Sequence, residues 1–543
     1  MKRQWKPQVA AAFSLANLWF FRSWLVLLDS YSPAGRYFLS EHPTSLELNT
    51  LLGVSWLTAV LALTRLLGRR LARGPLLVIG RVVWIGLAFG TMVSIIAVTN
   101  MLPPPAPQIS VAVLLAGFVA AIVFWRRAYR AADVLLLIFF PFAAASCTLS
   151  LWRIVNTWQT KAPLARAAGK PAAKKVIWIL FDELDGRLVL EPDAAVRLPN
   201  LERLAAESLN ARRTQMAAAD TLEAVPALFT GQKVTKARPS GDRDLELTFA
   251  DGSVRRWSST PNLFREARAR GLGTAAAGYY HPYCRVLPDA FNECYWEPAV
   301  LPLAAWKSYM EQLKGSPVLY QVFRETRFHP WLLPLLGEYW KRDSIVPEEE
   351  ELINRQRAVL DHLLQQGKSL AADPSIGILY LHLPLPHPPG VWKAREQRPA
   401  HAYEGTYLEN LEVADRILGE YRAHLEGQGV WQQAAILVTS DHALRAEMWK
   451  GLKGFMPRTP LLNRPPRVPF LLKLPEGGPG RTYEQPISAV VAPGLLQAYL
   501  AGQVRTYDDA ARWLDSSNVW KPAFEQLSQL GRRNANADVE LPE

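Results

Sequence analysis

Apolar residues crowd into one end of this chain. Before residue 152 they form five stretches, at about 9–28, 48–67, 75–98, 107–125 and 132–152. A helix needs roughly 20 mostly apolar residues to cross a bilayer. Five such stretches are too many for a soluble core, so they predict five transmembrane helices. After Trp152 the pattern changes. Short apolar runs at 175–181 (KVIWILF), 376–382 (IGILYLH), 434–440 (AAILVTS) and 468–473 (VPFLLK) read as strands buried on both faces. Between and before them, 199–209 (PNLERLAAESL), 221–229 and 403–425 carry helical patterning. Strands alternating with helices predict an α/β/α domain with a mostly parallel sheet.

The predicted organisation is a transmembrane region over 1–152 and an Ala-, Lys- and Pro-rich linker at the membrane surface over 153–174. A catalytic-size domain follows over 175–531, then a polar tail over 532–543. Charge refines this. Residues 1–152 hold 13 of the 61 Lys and Arg but four of the 49 Asp and Glu, nine of the net twelve positive charges. The basicity therefore belongs to the membrane region and implies no nucleic-acid partner. Lys2, Arg3 and Lys6, then Arg69, Arg70 and Arg73, then Arg126, Arg127 and Arg130 fall before or between alternate spans. Basic loops stay cytoplasmic, so the N-terminus is cytoplasmic and, after five spans, the α/β domain is outside. Arg22 and Arg81 fall inside predicted spans, where a charge either binds a lipid phosphate or snorkels and packs. Arg65 and Asp133 lie near span ends and carry no functional reading. Cys284 and Cys294, ten residues apart in the exported part, are expected to pair, because oxidation is permitted there.

The chemistry sits where apolar strands end. In open α/β sheets ligands bind beyond the carboxyl ends of the strands. Asp182 follows the first strand, and Asp441-His442 follow the strand 434–440. A carboxylate and an imidazole side by side can turn toward one cation. Thr221 opens a short helix, where backbone N–H groups stabilise an anion. A threonine hydroxyl needs a base or a metal to become a nucleophile. His387 stands before two prolines that hold its segment extended.

Taken in order, these motifs resemble the alkaline-phosphatase superfamily, and within it the sulfatase-like membrane transferases of phosphoethanolamine or phosphoglycerol. The matching segments are VIWILFDELD, PNLERLAAES, Thr221 with Pro226, LHLPLPHPPG, SDH at Ser440–His442 and RVPFLLKLP, spanning about 175–475. The resemblance implies metal ligands Asp182, Thr221, Asp441 and His442, with Thr221 as nucleophile. It gives His387 a catalytic and phosphate-binding role, and His382 and His281 become further substrate-binding candidates. One divalent cation is expected, zinc ahead of manganese. Sulfatases carry a Cys or Ser in a CxPSR-like motif, which becomes formylglycine; the matching stretch 221–225 has neither Cys nor Arg.

The resemblance thus implies a bacterial inner-membrane enzyme with a periplasmic catalytic domain. It would move a phospho-headgroup from a membrane phospholipid to a cell-envelope glycan or lipid through a phospho-threonine. A hydrolase of the same fold is the alternative, and an inactive regulatory protein a more distant one.

Overall fold

The computed structural model describes residues 6–21, 23–24, 27, 37–38, 44–71, 74–98, 123–158, 172–191, 196–240, 243–298, 346–401, 404–445, 448–449 and 459–517. Two compact units result. Described residues before 36 and from 44 to 158 lie in the first, and those of 172–298 and 349–517 in the second, together with residues 37 and 38.

The first unit holds α1 (Lys6–Trp19), α2 (Thr44–Leu71), α3 (Pro75–Val98), α4 (Trp125–Ile138) and α5 (Phe140–Trp158). Among the described residues three stretches are long and apolar enough to cross a membrane, Thr50–Gly68, Pro75–Met92 and Trp125–Val155, rather than the expected five. The second and third expected spans fall within α2 and α3. The fifth falls on α4 and α5, which meet at Phe139, where Pro141 has no N–H to offer the Leu137 carbonyl. The first falls on α1 and on further helical residues at 21, 23, 24 and 27, with 22, 25, 26 and 28 outside the described residues. The fourth lies, up to residue 122, outside the described residues. Residues expected to begin the linker, 153–158, continue α5 instead.

Two charges without a functional reading prove to be partners. Arg65 Nη2 donates to both carboxylate oxygens of Asp133, at 2.9 and 2.8 Å, and Trp84 Nε1 donates to Oδ1 at 3.0 Å. Pairing lowers the cost of holding charges at such a position. Arg81 lies 4.9 Å from the centroid of the Trp125 ring, a packing role. Arg22 lies outside the described residues.

The second unit is built on an eight-stranded sheet. In chain order its strands are β1 (Lys175–Asp182), β2 (Leu209–Ala211), β3 (Gly273–Tyr280), β4 (Glu293–Pro298), β5 (Ile376–Pro386), β6 (Ala434–Ser440), β7 (Phe470–Lys473) and β8 (Arg481–Tyr483). Their spatial order is β8-β2-β7-β6-β1-β5-β3-β4. The run β6-β1-β5-β3-β4 is parallel throughout, whereas β7 pairs antiparallel with both β6 and β2. The sheet is therefore mostly parallel, as the patterning predicts.

Strand β1 explains why its sequence is uniformly apolar. Val176, Trp178 and Leu180 enter the core on one face of the sheet, and Ile177, Ile179 and Phe181 the core on the other. Alternate side chains meet opposite layers, so both sets must be hydrophobic. Strand β3 was not foreseen. Its sequence GTAAAGYY is alanine-rich rather than β-branched, and it is recruited by its neighbours β4 and β5. Helices α6 (Pro199–Ala206), α7 (Thr221–Thr230), α8 (Val346–Ala372) and α9 (Tyr407–Gly427) belong to the covering layers. Helix α9 starts at a reciprocal capping box between Thr406 and Glu409.

Candidate active site

Four adjacent parallel strands, β6, β1, β5 and β3, end on one edge of the sheet, and each delivers polar residues there. The register pairs Phe181 with Ser440, so the next residues, Asp182 and Asp441, emerge side by side. Three local devices hold that edge together. The Leu184 N–H donates to Ser440 Oγ at 2.8 Å, tying the loop after β1 to the end of β6. The N–H groups of Glu183 and His442 donate to Asp441 Oδ1 at 3.1 and 2.7 Å. Glu183 itself has φ +73°, a conformation that is uncommon and costly outside glycine. That turn is what aims the Glu183 N–H at Asp441.

The outcome is a set of ligand atoms with no other occupation. Asp182, Asp441 and His442 are fully buried, and one atom from each lies within 4.8 Å of the others. Both oxygens of Asp182 and Oδ2 of Asp441 have no hydrogen-bond donor. Unpaired buried carboxylate oxygens are costly unless a cation faces them. His442 Nδ1 donates to the Ala443 carbonyl at 2.9 Å, which leaves the Nε2 lone pair free, 3.5 Å from Asp182 and 3.3 Å from Asp441. A ring held by a backbone carbonyl on its far nitrogen is the usual posture of a ligating histidine. The donor set fits one divalent cation, and it does not by itself choose between zinc and manganese. Burial, with Asp441 adding to it, pushes the Asp182 carboxyl well above the ordinary carboxylate range.

Thr221 is the first residue of α7, and its hydroxyl lies 3.2 Å from His442 Nε2. The free lone pair on that nitrogen makes the hydroxyl the donor. The structure therefore brings Thr221, Asp182, Asp441 and His442 together from three separate stretches of chain. It does not bring Glu183 into the ligand group. That carboxylate instead accepts from the Arg445 N–H, and burial raises it to about 8.

The histidines stand around this group. The His387 N–H donates to the Asp182 carbonyl at 3.2 Å, and His387 Nδ1 donates to the Pro388 carbonyl at 2.7 Å, leaving Nε2 as an acceptor. Burial, then the positive charge of Arg445, lowers His387 to about 3, so it stays neutral at physiological pH. His382, level with Leu180 on β1, is buried at a hydrogen bond of 2.9 Å between its Nδ1 and the Tyr283 hydroxyl. Burial lowers it to about 4. The Tyr283 ring lies so close to β3 that a Cβ on Gly278 would come within 2.4 Å of it, which requires glycine at that position. His281, directly after β3, bonds through Nε2 to the carbonyl of Thr221 at 3.0 Å. It reaches the backbone of Thr221 rather than an open substrate position. Cys284 and Cys294 are joined as a disulfide, linking the short helix after β3 to β4.

Arg445 was missed by sequence reasoning. It follows His442 by three residues, so proximity to the SDH motif was the available signal. Its Nη1 lies 2.7 Å from Asp220, the residue before Thr221, and its Nε has no hydrogen-bond partner, 3.9 Å from Glu183. A guanidinium anchored on Asp220, next to the residue that opens α7, is of the type suited to the oxygens of a phosphate-like group.

A family model described as Sulfatase matches residues 174–499. Three solved structures show the range of similar proteins. One is the PsFucS1 sulfatase from Pseudoalteromonas sp., at 14% identity over 61% of this chain and 68% of that chain, TM-score 0.41. Another is the phosphonate monoester hydrolase of Agrobacterium radiobacter, at 17% identity over 61% and 74%, TM-score 0.39. The third is the lipoteichoic acid synthase LtaP from Listeria monocytogenes, at 15% identity over 62% and 75%, TM-score 0.37. No curated protein sequence matches the chain.

Proposed function

The chain belongs to the sulfatase family, and from that premise we propose that it is a membrane-anchored phosphotransferase acting through a covalent phospho-threonine at Thr221. The donor is a membrane phospholipid carrying phosphoethanolamine or phosphoglycerol, and the acceptor a hydroxyl of a cell-envelope glycan or lipid. The cell compartment that fits is the bacterial inner membrane, with the catalytic unit in the periplasm.

One observation carries the reading. The residue at the nucleophile position is a threonine, its hydroxyl 3.2 Å from His442 Nε2 and at the first turn of a helix. The formylglycine route of sulfate-ester hydrolysis has no starting residue here, whereas a threonine oxygen can carry a phosphoryl group. A divalent cation held by Asp182, Asp441 and His442, with the Thr221 oxygen beside it, would lower the hydroxyl pKa and offset charge developing on the phosphoryl oxygens. The rest falls to the chain. The N-terminal N–H groups of α7 receive the non-bridging oxygens, and the positive charge of Arg445, held beside Thr221 by Asp220, offsets their charge. Thr221 Oγ forms the new bond to phosphorus as the bond to the diacylglycerol oxygen breaks, and the threonine proton leaves, in net, on that oxygen. In the second half the acceptor hydroxyl oxygen bonds to phosphorus as the bond to Thr221 Oγ breaks, and the acceptor's proton ends, in net, on Thr221 Oγ. His387, neutral with Nε2 unprotonated, can accept a hydrogen bond from the acceptor hydroxyl and orient it. The three apolar stretches support a lipid donor, because they keep the catalytic unit on the chain that meets the bilayer.

Incubating the purified protein with mixed phospholipids and zinc, then measuring intact mass and mapping peptides, tests this. A phospho-headgroup mass on Thr221, absent from Thr221→Ala, is expected. Diacylglycerol release with no adduct and no dependence on an acceptor would move the assignment to a hydrolase. Neither adduct nor release would refute the lipid-donor reading. Elemental analysis of the protein as purified, before any metal is added, distinguishes zinc from manganese.

A further inference from the structure

Tyr37 lies between the first two apolar stretches of the sequence, 244 residues from His281, yet it belongs to the catalytic unit and is fully buried there. Its hydroxyl is 2.8 Å from His281 Nδ1. The other nitrogen of that ring, Nε2, is 3.0 Å from the carbonyl oxygen of Thr221. A carbonyl only accepts, so Nε2 carries the proton. His281 is fully buried between a hydroxyl and a carbonyl, neither of which supplies a counter-charge, so the ring is neutral and Nδ1 holds a lone pair. The Tyr37 hydroxyl is therefore the donor, and burial, which raises its own pKa, keeps it protonated. Two hydrogen bonds run in one direction, from Tyr37 to His281 and from His281 to the backbone of Thr221.

The segment is anchored at more than one point. Arg285 donates from Nη2 to the Tyr37 carbonyl, and the Phe38 ring packs edge-on against Tyr280 at 5.1 Å. Trp257 flanks the same imidazole, with ring centroids 5.0 Å apart. Tyr280 has φ +74°, the second strained non-glycine residue at this edge of the sheet. That turn aims His281 at α7. The Thr221 carbonyl fixes the tautomer, and the Tyr37 hydroxyl, donating to Nδ1, holds the far side of the ring in place. Without that donor Nδ1 is a buried acceptor with no partner and the ring loses one of its two anchors.

We propose that Tyr37 is a positioning residue for the nucleophile: residues 37 and 38, which follow the first apolar stretch in sequence, pack within the catalytic unit, and Tyr37, by anchoring the His281 ring, fixes the first turn of the helix bearing Thr221. The catalytic unit is then complete only with a segment drawn from the membrane-associated part of the chain. This rests on the reading of Thr221 as the nucleophile.

The test uses the full chain in detergent, with Tyr37→Phe, His281→Gln and the double variant, each checked for unchanged metal content. Two readouts are taken. The first is the nitrogen NMR spectrum of 15N-histidine-labelled protein, in which His281 is assigned by its loss in His281→Gln. The neutral Nε2–H tautomer is expected in the parent chain, with its Nδ1 resonance displaced in Tyr37→Phe. An unchanged resonance would overturn the proposal, whatever the activity. The second is turnover of bis(p-nitrophenyl) phosphate. Tyr37→Phe should lower kcat roughly ten-fold, the lower end for partners that act through another residue, with KM unchanged. The double variant should be no slower than His281→Gln. Additive losses, or a kcat within twofold of the parent, would refute the coupling. A parent chain with no turnover would count against the transferase reading, and the NMR result would still decide the link between Tyr37 and His281.

Discussion

Replacing Asp182 by Asn should have opposite effects on stability with and without a divalent cation. Asp182 and Asp441 present ligand atoms within 4.8 Å of each other, and three of their four oxygens lack a donor. Two unit charges at that separation repel by about 3.5 kcal/mol at an effective dielectric of ~20. Arg445 and partial protonation offset part of this, leaving about 1–2 kcal/mol that the metal-free protein bears. Asn removes one charge with almost no change in shape, so the metal-free variant should unfold at the same temperature as the parent or slightly above it. With zinc at a hundred times its Kd the parent gains about 2.7 kcal/mol. At roughly 2 °C per kcal/mol for a unit of this size, that is a shift of about 5 °C. The variant should gain little or none of it. Differential scanning fluorimetry of both proteins, with chelator and then with zinc, reads all four midpoints. A variant that keeps the full zinc shift, or whose metal-free midpoint falls clearly below the parent's, would refute the assignment of Asp182 to a cation site.

Other consequences can be checked in the same preparations. Asp185 accepts from the Arg187 N–H at 2.8 Å, from Nε at 2.9 Å and from Nη2 at 2.6 Å, and takes the Leu444 N–H at 3.2 Å. Asp185→Ala strands a buried guanidinium and should cost about 3–5 kcal/mol, read as a lower urea midpoint; a loss below about 1 kcal/mol would contradict the buried pair. His382 has a folded pKa near 4 against about 6.5 in the unfolded chain. The unfolded state therefore binds the extra proton, and stability is lost as pH falls from 6.5 towards 4, by up to about 1.4 kcal/mol per pH unit. His382→Gln should flatten the dependence of the urea midpoint on pH across that window, and an unchanged slope would show that the histidine is not buried as described.

Much of the catalytic unit was legible in the chain because parallel strands buried on both faces cannot hide. Runs such as KVIWILF and AAILVTS must be apolar at every position, since alternate side chains meet different layers. A polar residue at the end of such a run is correspondingly conspicuous, which is how Asp182, Asp441 and His442 stood out. The alanine-rich β3 was not legible, because its strand conformation is imposed by β4 and β5 rather than by its own propensity. Span count was legible only coarsely. Hydropathy registers apolar content, whereas the break at Phe139 depends on where helices end.

What the sequence determined by itself was therefore composition at strand ends: an α/β sheet, an acidic residue and an Asp-His pair at two of its strand termini, and a threonine at a helix start. Which of these meet was decided by tertiary structure. The parallel register of β1 and β6 sets two carboxylates side by side, a positive φ at Glu183 turns a backbone N–H onto one of them, and Arg445 finds its place only once those strands have paired. Tyr37 is the extreme case. No local pattern marks it, because its partner lies 244 residues away and a hydrogen bond between two buried side chains leaves no periodicity in either segment.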